Sequence, residues 1–307
     1  MRSASKDREI QQSISAVERE TGISKDTLRV WERRYGFPSP DRYANGERYY
    51  PQAQVDKLRL VKQLISSGHR PGAIMRLPLV ALRDIAEQGR VASPPAPDSG
   101  ASELPRLMQL VAQRQADTLR EQMRLLATRV GLAQFVSHYL APMARNVGDD
   151  WAQGRIGVLE EHLFSETVQM VMREAILRIR SASVSPRVLL TTLPNEPHGL
   201  GILMAEAMFA LEGCHCESLG VQTPVGEIDR AVRLQSIDIV ALSCSAHLPI
   251  NPLIQDLRAL RGRLPSHVEI WVGGCTPMPT RRCPAGVELM QDLGRVSERV
   301  AAWREAH

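Results

Sequence analysis

Long apolar runs and a disulfide framework are both missing from this 307-residue chain. No stretch approaches the roughly 18 to 20 apolar residues that a membrane-spanning helix needs. The polar start, Met1 to Asp7, lacks the apolar core of a signal peptide. The five cysteines are an odd number scattered through the C-terminal half, unlike the paired cysteines of secreted domains. We therefore expect a cytoplasmic protein that spans no membrane.

A second pair of metal ligands is missing as well. Cys214, His215 and Cys216 are adjacent, which is suggestive of a metal site. A structural zinc ion needs four ligands, usually supplied as two spaced pairs, and no second pair accompanies this one. We interpret the cysteines as ordinary reduced thiols.

Positive charge is in excess only in the N-terminal part. Residues 1–92 hold 17 Lys and Arg against 11 Asp and Glu, a balance of +6. The remainder holds 21 against 23, a balance of −2, and the two parts together give the net charge of +4. A basic segment on a nearly neutral body indicates an anionic partner for the N-terminal part.

The chain divides at a Pro-rich linker. Residues 91–102 are small, rich in Pro and Ser, and without apolar periodicity, which is typical of an extended connection. Beyond the linker, apolar residues recur at helical spacing as far as Arg180. This spacing predicts a bundle of about four helices.

After Pro186 the pattern changes to short apolar strands that alternate with helices. Such alternation predicts a doubly wound parallel sheet, whose ligand sites lie at the carboxyl ends of its strands. The predicted strands are Val188–Thr192, Glu217–Gly220, Ile237–Ser243 and Val268–Gly274, with a helix from Ile202 to Leu211 after the first.

The basic N-terminal part shows the pattern of two short helices separated by a tight turn. The first helix begins near Ile14 and ends at Gly22. Ser24 is suited to cap a second helix that runs to Tyr35, and the turn sets the angle between the two helices. The pattern predicts a helix-turn-helix.

One face of the second helix and the loop after it favour DNA binding. Asn45-Gly46 is a strong signal for a tight hairpin, which places Arg48 and Tyr49 on a wing. A surface-charged helical pair without a nucleic-acid role is the alternative that these spacings leave open. Long cationic side chains on one face suit phosphates and the guanine edge in the major groove, and this helix carries Lys25, Arg29 and Arg33.

The segment from about residue 12 to residue 77 resembles the MerR family of winged helix-turn-helix regulators. The resemblance rests on Thr27–Gly36, on Arg48–Tyr50 and on a helix from Val55 to Ser67 that ends in Gly68. MerR regulators usually dimerise through a long helix after this domain, whereas a Pro-rich linker follows here, which indicates a sensor module. The resemblance implies double-stranded DNA as a partner, contacted by Lys25, Thr27, Arg29, Arg33, Tyr35, Arg48 and Tyr49.

Three turns at the carboxyl ends of the predicted strands combine small residues with one histidine. The loop 194–201 contains His198, whose imidazole suits a transition metal, and two glycines that let a bulky group approach the backbone. Ser243–Ser245 follows the third strand, and Gly273-Gly274 ends the fourth. Taken singly, a loop histidine is more often merely solvated, and each turn is more often an ordinary tight turn.

Together these turns resemble the cobalamin-binding Rossmann-like domain, which has a His-x-x-Gly loop, a Ser-x-Ser/Thr/Leu turn and a Gly-Gly turn in this order. The resemblance implies adenosylcobalamin, or another cobalamin form, with His198 as the lower ligand of cobalt. Cobalamin enzymes often have Asp two residues before the histidine, whereas Glu196 stands here, as the regulatory branch tends to show. The slot that the resemblance implies for the dimethylbenzimidazole tail is formed by Gly201, Ser243, Ser245, Gly273 and Gly274.

The predicted bundle contains Trp151 and, after nine intervening residues, Glu161-His162. In isolation these would be a core tryptophan and a solvated pair. At this spacing they resemble residues of the CarH-type light-sensing repressors that cover the upper face of adenosylcobalamin. Some members have a histidine directly after the tryptophan, which captures cobalt after illumination. Ala152 occupies that position here, which leaves His162 and His138 as candidates for the role.

The sequence thus predicts a multidomain protein of α and α/β class. Its predicted parts are a winged helix-turn-helix at 1–90, a linker at 91–103, a four-helix bundle that caps cobalamin at 104–182, and a Rossmann-like doubly wound parallel sheet at 183–307.

The resemblance implies a DNA-binding repressor that senses light through adenosylcobalamin. Illumination would change its oligomeric state, a dimer or a tetramer, and its affinity for DNA. The alternative is a MerR-type regulator whose C-terminal module senses another signal or a protein partner without photochemistry. A cobalamin-dependent enzyme is disfavoured because no substrate barrel or catalytic domain remains after the three modules, so we predict no catalytic residues.

Overall fold

The computed structural model describes residues 11–43, 46–66, 69–88, 103–179, 184–245, 248–274, 278, 280–290 and 292–307. The chain forms two compact units. The first contains the described residues of 1–94 together with Gly148–Gly157, and the second contains those of 95–147 and 158–307. Within these ranges no helix combines the length and the hydropathy that a bilayer span requires. The predicted linker at 91–102 lies outside the described residues.

Short helices and a small sheet make up the N-terminal part of the first unit. The helix that follows the wing begins at Gln52 rather than at the predicted Val55, and its predicted end at Ser67 and Gly68 lies outside the described residues. In chain order the elements are β1 (Gln11–Ser13), α1 (Ile14–Thr21), α2 (Lys25–Tyr35), β2 (Asp41–Arg42), β3 (Arg48–Pro51), α3 (Gln52–Ser66), α4 (Pro71–Ile74) and α5 (Leu79–Gln88).

The predicted helix-turn-helix is confirmed by its caps. The Ser24 side chain accepts a hydrogen bond from the Thr27 amide at 3.2 Å, which satisfies one of the free N–H groups at the start of α2. Gly22 and Gly36 end α1 and α2 in the left-handed conformation, with φ of 65° and 70°. Glycine adopts this conformation without the strain of a side chain, so both helices stop where the sequence indicates.

The wing is a hairpin at the edge of a three-stranded antiparallel sheet, ordered β1-β3-β2. Arg42 of β2 lies opposite Arg48 of β3. Of the predicted turn, Asn45 lies outside the described residues, and Gly46 has a φ of 79°. Beneath the sheet, Leu28 and Trp31 of α2 pack with apolar residues of α3 and bury the face of α2 opposite its cationic side chains.

The helical region of the second unit confirms the predicted four-helix pattern. Leu107 and Val111 of the first helix, Met123 of the second and Phe164 of the last are buried at helical spacing. The third helix runs without a break from Leu132 and contains one π-helical turn. The elements are α6 (Glu103–Ala112), α7 (Ala116–Val130), α8 (Leu132–Gln134), the π-turn Phe135–Leu140, α9 (Ala141–Ala152), whose last turn belongs to the first unit, and α10 (Val158–Leu177).

A five-stranded parallel sheet with the order β5-β4-β6-β7-β8 follows, which confirms the predicted Rossmann-like fold. The last strand was not predicted, because four half-buried residues at a sheet edge carry little signal. The elements are β4 (Val184–Thr191), α11 (Leu200–Leu211), β5 (Cys214–Gly220), α12 (Val225–Gln235), β6 (Ile239–Cys244), α13 (Ile250–Arg263), β7 (Glu269–Gly274), β8 (Val287–Met290) and α14 (Val296–Ala306), with 3₁₀ turns at Thr280–Arg282 and Leu293–Arg295.

Helices cover both faces of this sheet. Because side chains alternate along a strand, neighbours on β7 meet different layers. Ile270 and Val272 pack in a core with α12 and α13. Trp271, between them, lies on the other face, with its ring centroid 5.8 Å from that of Phe209 on α11. Both faces are therefore buried, and the carboxyl ends of the strands remain as the edge where a ligand binds.

Candidate functional site

The two small-residue turns meet at the carboxyl edge of the sheet. Ser243 lies opposite Gly273 in the register of β6 and β7, and Cys244 lies opposite Gly274. Although about 30 residues of sequence separate the turns, the parallel pairing places them side by side. The structure thus brings together two of the predicted cofactor-binding features.

Glu196 connects the histidine loop to the turn after β6. Its side chain is 1% exposed. One carboxylate oxygen, Oε1, accepts a hydrogen bond from the His198 amide at 3.0 Å and lies 2.6 Å from His198 Nδ1. The other, Oε2, accepts a hydrogen bond from the Ser245 amide at 2.6 Å. A single buried carboxylate therefore fixes both the imidazole and the backbone of the neighbouring turn.

This network favours an ionised glutamate. Burial alone would raise the pKa of Glu196, but the hydrogen bonds from His198 and Ser245 outweigh burial and hold the pKa below its usual 4.5. The hydrogen bond with Glu196 raises the pKa of His198 above its usual 6.5, against the effect of burial, and the negative charge of Glu161 adds to the rise.

Threonine hydroxyls form hydrogen bonds with the histidine loop and with the loop that follows β5. Thr192 Oγ1 donates to the Glu196 carbonyl at 2.6 Å and accepts from the Gln222 amide at 2.7 Å. Thr191 and Thr223 hydroxyls lie 2.8 Å apart, and all three threonines are buried. The sequence analysis did not single out these residues; two consecutive threonines at the end of an apolar strand were the only local signal.

Two glycines are required by close approaches at this edge. A Cβ on Gly201, in the first turn of α11, would lie 2.1 Å from Ser243 Oγ. A Cβ on Gly274 would lie 2.1 Å from the Cys244 carbonyl oxygen, and Gly274 has a φ of 108°. No other residue fits either position without movement, because Gly201 packs against Ser243 and Gly274 packs against the backbone of Cys244.

Glu161 and His162 lie near the start of α10. Glu161 Oε2 is 2.6 Å from His162 Nδ1, and Glu161 Oε1 accepts a hydrogen bond from the Ser165 hydroxyl at 2.7 Å. The His162 side chain is 71% exposed, whereas that of Glu161 is 27% exposed. Of the pair, Glu161 is therefore the residue that the protein fixes, and it is also the one whose charge reaches His198.

Trp151 belongs to the first compact unit, through the segment Gly148–Gly157. Its ring lies under the guanidinium of Arg59, with the guanidinium carbon 5.0 Å from the ring centroid. Ala152 is buried and His138 is exposed. Trp151 and the Glu161-His162 pair, which the resemblance groups on one face of a cofactor, thus fall in different units of the structure.

The predicted DNA-contacting side chains of α2 lie on its outward face. Arg29 and Arg33 are exposed. Lys25 forms an ion pair with Glu18 at 3.5 Å, Arg29 forms one with Asp26 at 3.1 Å, and both pairs are open to solvent. The remaining predicted contacts on this helix, Thr27 and Tyr35, are half-buried, with Thr27 Oγ1 2.8 Å from the Ser24 hydroxyl and Tyr35 packed at the edge of the core.

The wing is tied to α2 through Glu32. Its carboxylate bonds Arg42 at 2.8 Å and Arg48 at 2.9 Å. Partial burial would raise the pKa of Glu32, but these two hydrogen bonds keep it below its usual 4.5. Tyr49 meets Tyr43 edge to face, with ring centroids 4.8 Å apart. Arg42, Tyr43 and Glu32 were missed in the sequence analysis, since only the fold places them beside the predicted Arg48 and Tyr49.

Three family models match the chain. Residues 12–77 match the MerR HTH family regulatory proteins. Residues 104–175 and 186–290 each match a B12 binding domain. The matched segments coincide with the helix-turn-helix and wing, with the helical region and with the parallel sheet.

Curated relatives share nearly the same span. The chain is 30% identical over 261 residues to the HTH-type transcriptional repressor CarH of Myxococcus xanthus, an alignment that covers 82% of this chain and 85% of the relative. It is 28% identical over 232 residues to the repressor CarA of the same organism, covering 75% of each. Among solved structures, the monomethylamine corrinoid protein of Methanosarcina barkeri matches with a TM-score of 0.53 and 14% identity, over 64% of this chain and 96% of that one, which supports the fold alone.

Proposed function

The chain belongs to the family of MerR-type transcriptional repressors with a C-terminal cobalamin-binding module, and from this premise we propose that it senses light through adenosylcobalamin. Illumination would change its oligomeric state and its affinity for DNA. The named relatives are transcriptional repressors, which supports a regulator rather than an enzyme. The observation that carries the proposal is the Glu196 network, which fixes His198 at the carboxyl edge of the sheet.

The residues at the sheet edge fit a cobalamin. The His198 side chain is 58% exposed, so a ligand can reach the ring. Because Nδ1 bonds Glu196, we assign Nε2 to cobalt, and the carboxylate keeps the ring in one orientation for that task. The serine and glycine turns are assigned to the dimethylbenzimidazole tail, since the parallel register places Ser243 beside Gly273 at the carboxyl edge of the sheet.

Adenosylcobalamin, when bound, supplies a cobalt–carbon bond that light can cleave. We assign the opposite, upper side of the site to Glu161 and His162 of α10 and to Trp151. Glu161 is oriented by Ser165 and is the half-buried member of its pair, which makes it a fixed hydrogen-bond acceptor. Ala152 supplies no imidazole after Trp151, so we expect this chain to form a less persistent product after illumination than relatives with a histidine there.

DNA recognition is assigned to the outward face of α2 and to the wing. Lys25, Arg29, Arg33 and Arg48 offer cations for phosphates and base edges, while Thr27, Tyr35 and Tyr49 offer hydroxyls. One helix-turn-helix with its wing makes few contacts with DNA. A dimer or a tetramer that places several of them on repeated sites would therefore bind far more tightly than a single chain. A change in oligomeric state is therefore sufficient to control repression.

The first experiment mixes the full chain with adenosylcobalamin in darkness, removes free cofactor by desalting, and records absorption spectra before and after green light. We expect a corrin band that is retained and that changes on illumination, followed by a change in oligomer size and DNA affinity. A chain that retains adenosylcobalamin but shows the same spectrum and size in both conditions contradicts the light-sensing proposal.

His198→Ala tests the lower-ligand assignment. We expect this variant to lose most of its cofactor retention but to keep DNA binding by the helix-turn-helix and wing, since His198 lies in the other unit. His215→Ala is the matched control, because His215 also pairs with a glutamate two residues away, with His215 Nε2 3.2 Å from Glu217 Oε1. Equal retention by the two variants would show that cobalt is not held by His198.

Ala152 favours one alternative, a regulator whose C-terminal module senses another signal without photochemistry. The same experiment separates the two, since a chain of that kind loses all chromophore on desalting. Its fold and its DNA-binding head would be unchanged.

A further inference from the structure

Arg59 is a buried cation at the centre of a contact that the proposed function does not use. It lies on α3, and its side chain is 2% exposed. It forms an ion pair with Glu20 of α1 and another with Asp56, one turn earlier on α3, at 3.2 Å. Two carboxylates thus fix the guanidinium within the DNA-binding part of the chain.

The remaining groups of Arg59 face the segment Gly148–Gly157. Its guanidinium carbon lies 5.0 Å from the centroid of the Trp151 ring, within the range of a cation–π interaction. Its Nη1 donates to the Trp151 carbonyl at 3.3 Å. Both the ring and the backbone of Trp151 are therefore bound to a side chain of the first unit that other residues hold in position.

A second arginine and a glycine fix the same segment. Arg83 of α5 donates from Nη2 to the Gln153 carbonyl at 2.8 Å, and the Gln153 side chain is buried. Gly154 has a φ of 68°, and a Cβ there would lie 3.1 Å from the Cβ of Asp56. The backbone closes on itself here, since the Arg155 amide donates to the Asp150 carbonyl at 2.8 Å. The segment thus comprises the end of α9 and a preformed turn, and it contacts α3 and α5 at several points.

We propose that α3 and α5 form a docking surface for Gly148–Gly157, and that docking on this surface competes with the capping of adenosylcobalamin by Trp151. The second part rests on the proposed function, which assigns Trp151 to the upper side of the cofactor. The chain would use Trp151 for one partner at a time, the guanidinium of Arg59 or the adenosyl group. Coupling of this kind is reciprocal: docking weakens cofactor binding by the same factor by which the cofactor weakens docking.

The docking surface is tested without cofactor, on the full chain, by hydrogen exchange of peptides that cover residues 148–157. Arg83→Ala removes the bond to the Gln153 carbonyl and leaves Arg59 and its carboxylates in place. We expect exchange in this segment to become at least about fivefold faster, because a charge-assisted hydrogen bond is lost. The control is Arg76→Ala, an exposed arginine between α4 and α5. If Arg83→Ala and Arg76→Ala leave exchange equally slow, the docking surface is wrong.

The competition is tested by titrating the same variants with adenosylcobalamin in darkness. We expect Arg83→Ala to bind adenosylcobalamin about 3- to 30-fold more tightly than the unaltered chain, from the strength of the bond removed. Cyanocobalamin, which lacks the adenosyl group, should bind both chains equally. Unchanged affinity for adenosylcobalamin, or an equal gain for both cobalamins, overturns the competition.

Arg59→Lys provides a second variant that keeps a charge beside Glu20 but loses the planar guanidinium that stacks on Trp151. It should accelerate exchange and tighten adenosylcobalamin binding in the same direction as Arg83→Ala, and a weaker affinity would contradict the competition. If the chain retains no cobalamin at all, the proposed function has failed, and the exchange experiment alone then decides whether the docking surface exists.

Discussion

Two carboxylates in this chain hold basic side chains in place, and they differ chiefly in exposure. Glu196, at the carboxyl edge of the sheet, is 1% exposed and bonds His198 and the Ser245 amide. Glu32, between α2 and the wing, has a side chain that is 21% exposed and bonds Arg42 and Arg48. Both have a lowered pKa, and for the same reason, since hydrogen bonds outweigh burial.

Because the two carboxylates differ in exposure, we expect Glu196 to keep its partners and Glu32 to exchange them. A buried carboxylate that loses its hydrogen-bond partners keeps the full desolvation penalty. Disruption of the Glu196 network should therefore strongly lower stability or ligand affinity. Ion pairs open to solvent contribute about 0 to 1 kcal/mol each, so the exposed Arg42 can leave the partly buried Glu32 for a phosphate at little cost. The sheet edge is thus suited to holding one ligand, and the wing to binding and releasing DNA.

The largest expected effect is a loss of stability at Gly274, which packs against the backbone of Cys244 at the sheet edge. Gly274→Ala should lower the free energy of unfolding by about 2 to 4 kcal/mol, because the new Cβ meets the Cys244 carbonyl at a positive φ. Urea unfolding of the cofactor-free chain measures it. Gly226→Ala on α12, which has open space around it, should change stability by less than about 1 kcal/mol. Similar values for the two variants would show that the edge yields, and the contrast with the wing would be lost.

Next in size is the effect of Glu196→Gln on cobalamin affinity. The amide keeps the shape but cannot accept from both His198 and the Ser245 amide as an anion does. Groups that orient a metal ligand typically contribute 10- to 100-fold in affinity, so we expect a loss of about that size. Titration with adenosylcobalamin in darkness provides the measurement, with Glu217→Gln, the partner of His215, as control. A loss below about threefold would remove the positioning role of Glu196.

How much of the structure could be predicted depended on how far apart the interacting residues lie along the chain. Ser24, Gly22 and Gly36 act within one helical turn, so the ends of α1 and α2 could be predicted. The glycines and serines at strand ends marked the sheet edge for the same reason. The bond from Ser245 to Glu196 spans 49 residues, and that from Arg59 to Trp151 spans 92.

No local pattern encodes such pairs. The other charged residues of α3 are half-buried, whereas the burial of Arg59 follows from the packing of α1, α3 and the distant turn at Gly154. The cofactor-binding roles and the division into four parts at 90, 103 and 182 therefore stay predictions, although the fold that carries them is confirmed.

At the wing the expected effect is smaller and has the opposite sign. Glu32→Gln removes a negative charge from the surface that faces DNA and releases Arg42 and Arg48. We expect affinity for DNA to rise about two- to fivefold at low salt, with less than about 1 kcal/mol lost in stability. Fluorescence anisotropy with a labelled duplex at two salt concentrations tests this, with Glu227→Gln, an exposed partner of Arg230 in the other unit, as control. Weaker DNA binding by Glu32→Gln would mean that Glu32 orients the wing for DNA and is not exchangeable.

The smallest expected effect is a pH dependence of stability that arises from Glu196 and His198 at the sheet edge. The pKa of Glu196 is lowered, so its contribution to stability is present above about pH 4.5 and is lost as the pH falls through the lower folded value. The pKa of His198 is raised, so its contribution is complete below about pH 6.5 and is lost as the pH rises through the higher folded value. The pair therefore contributes most between these two limits.

Because the His198 side chain is 58% exposed, solvent screening keeps this contribution below about 1 kcal/mol. Urea unfolding of the cofactor-free chain and of His198→Gln, between pH 5 and pH 9, should show a stability difference that shrinks as the pH rises above about 6.5. A difference that grows over this range would mean that burial, rather than Glu196, governs His198. More of the imidazole would then be neutral before cobalt reaches it, and cobalamin binding would release fewer protons from His198.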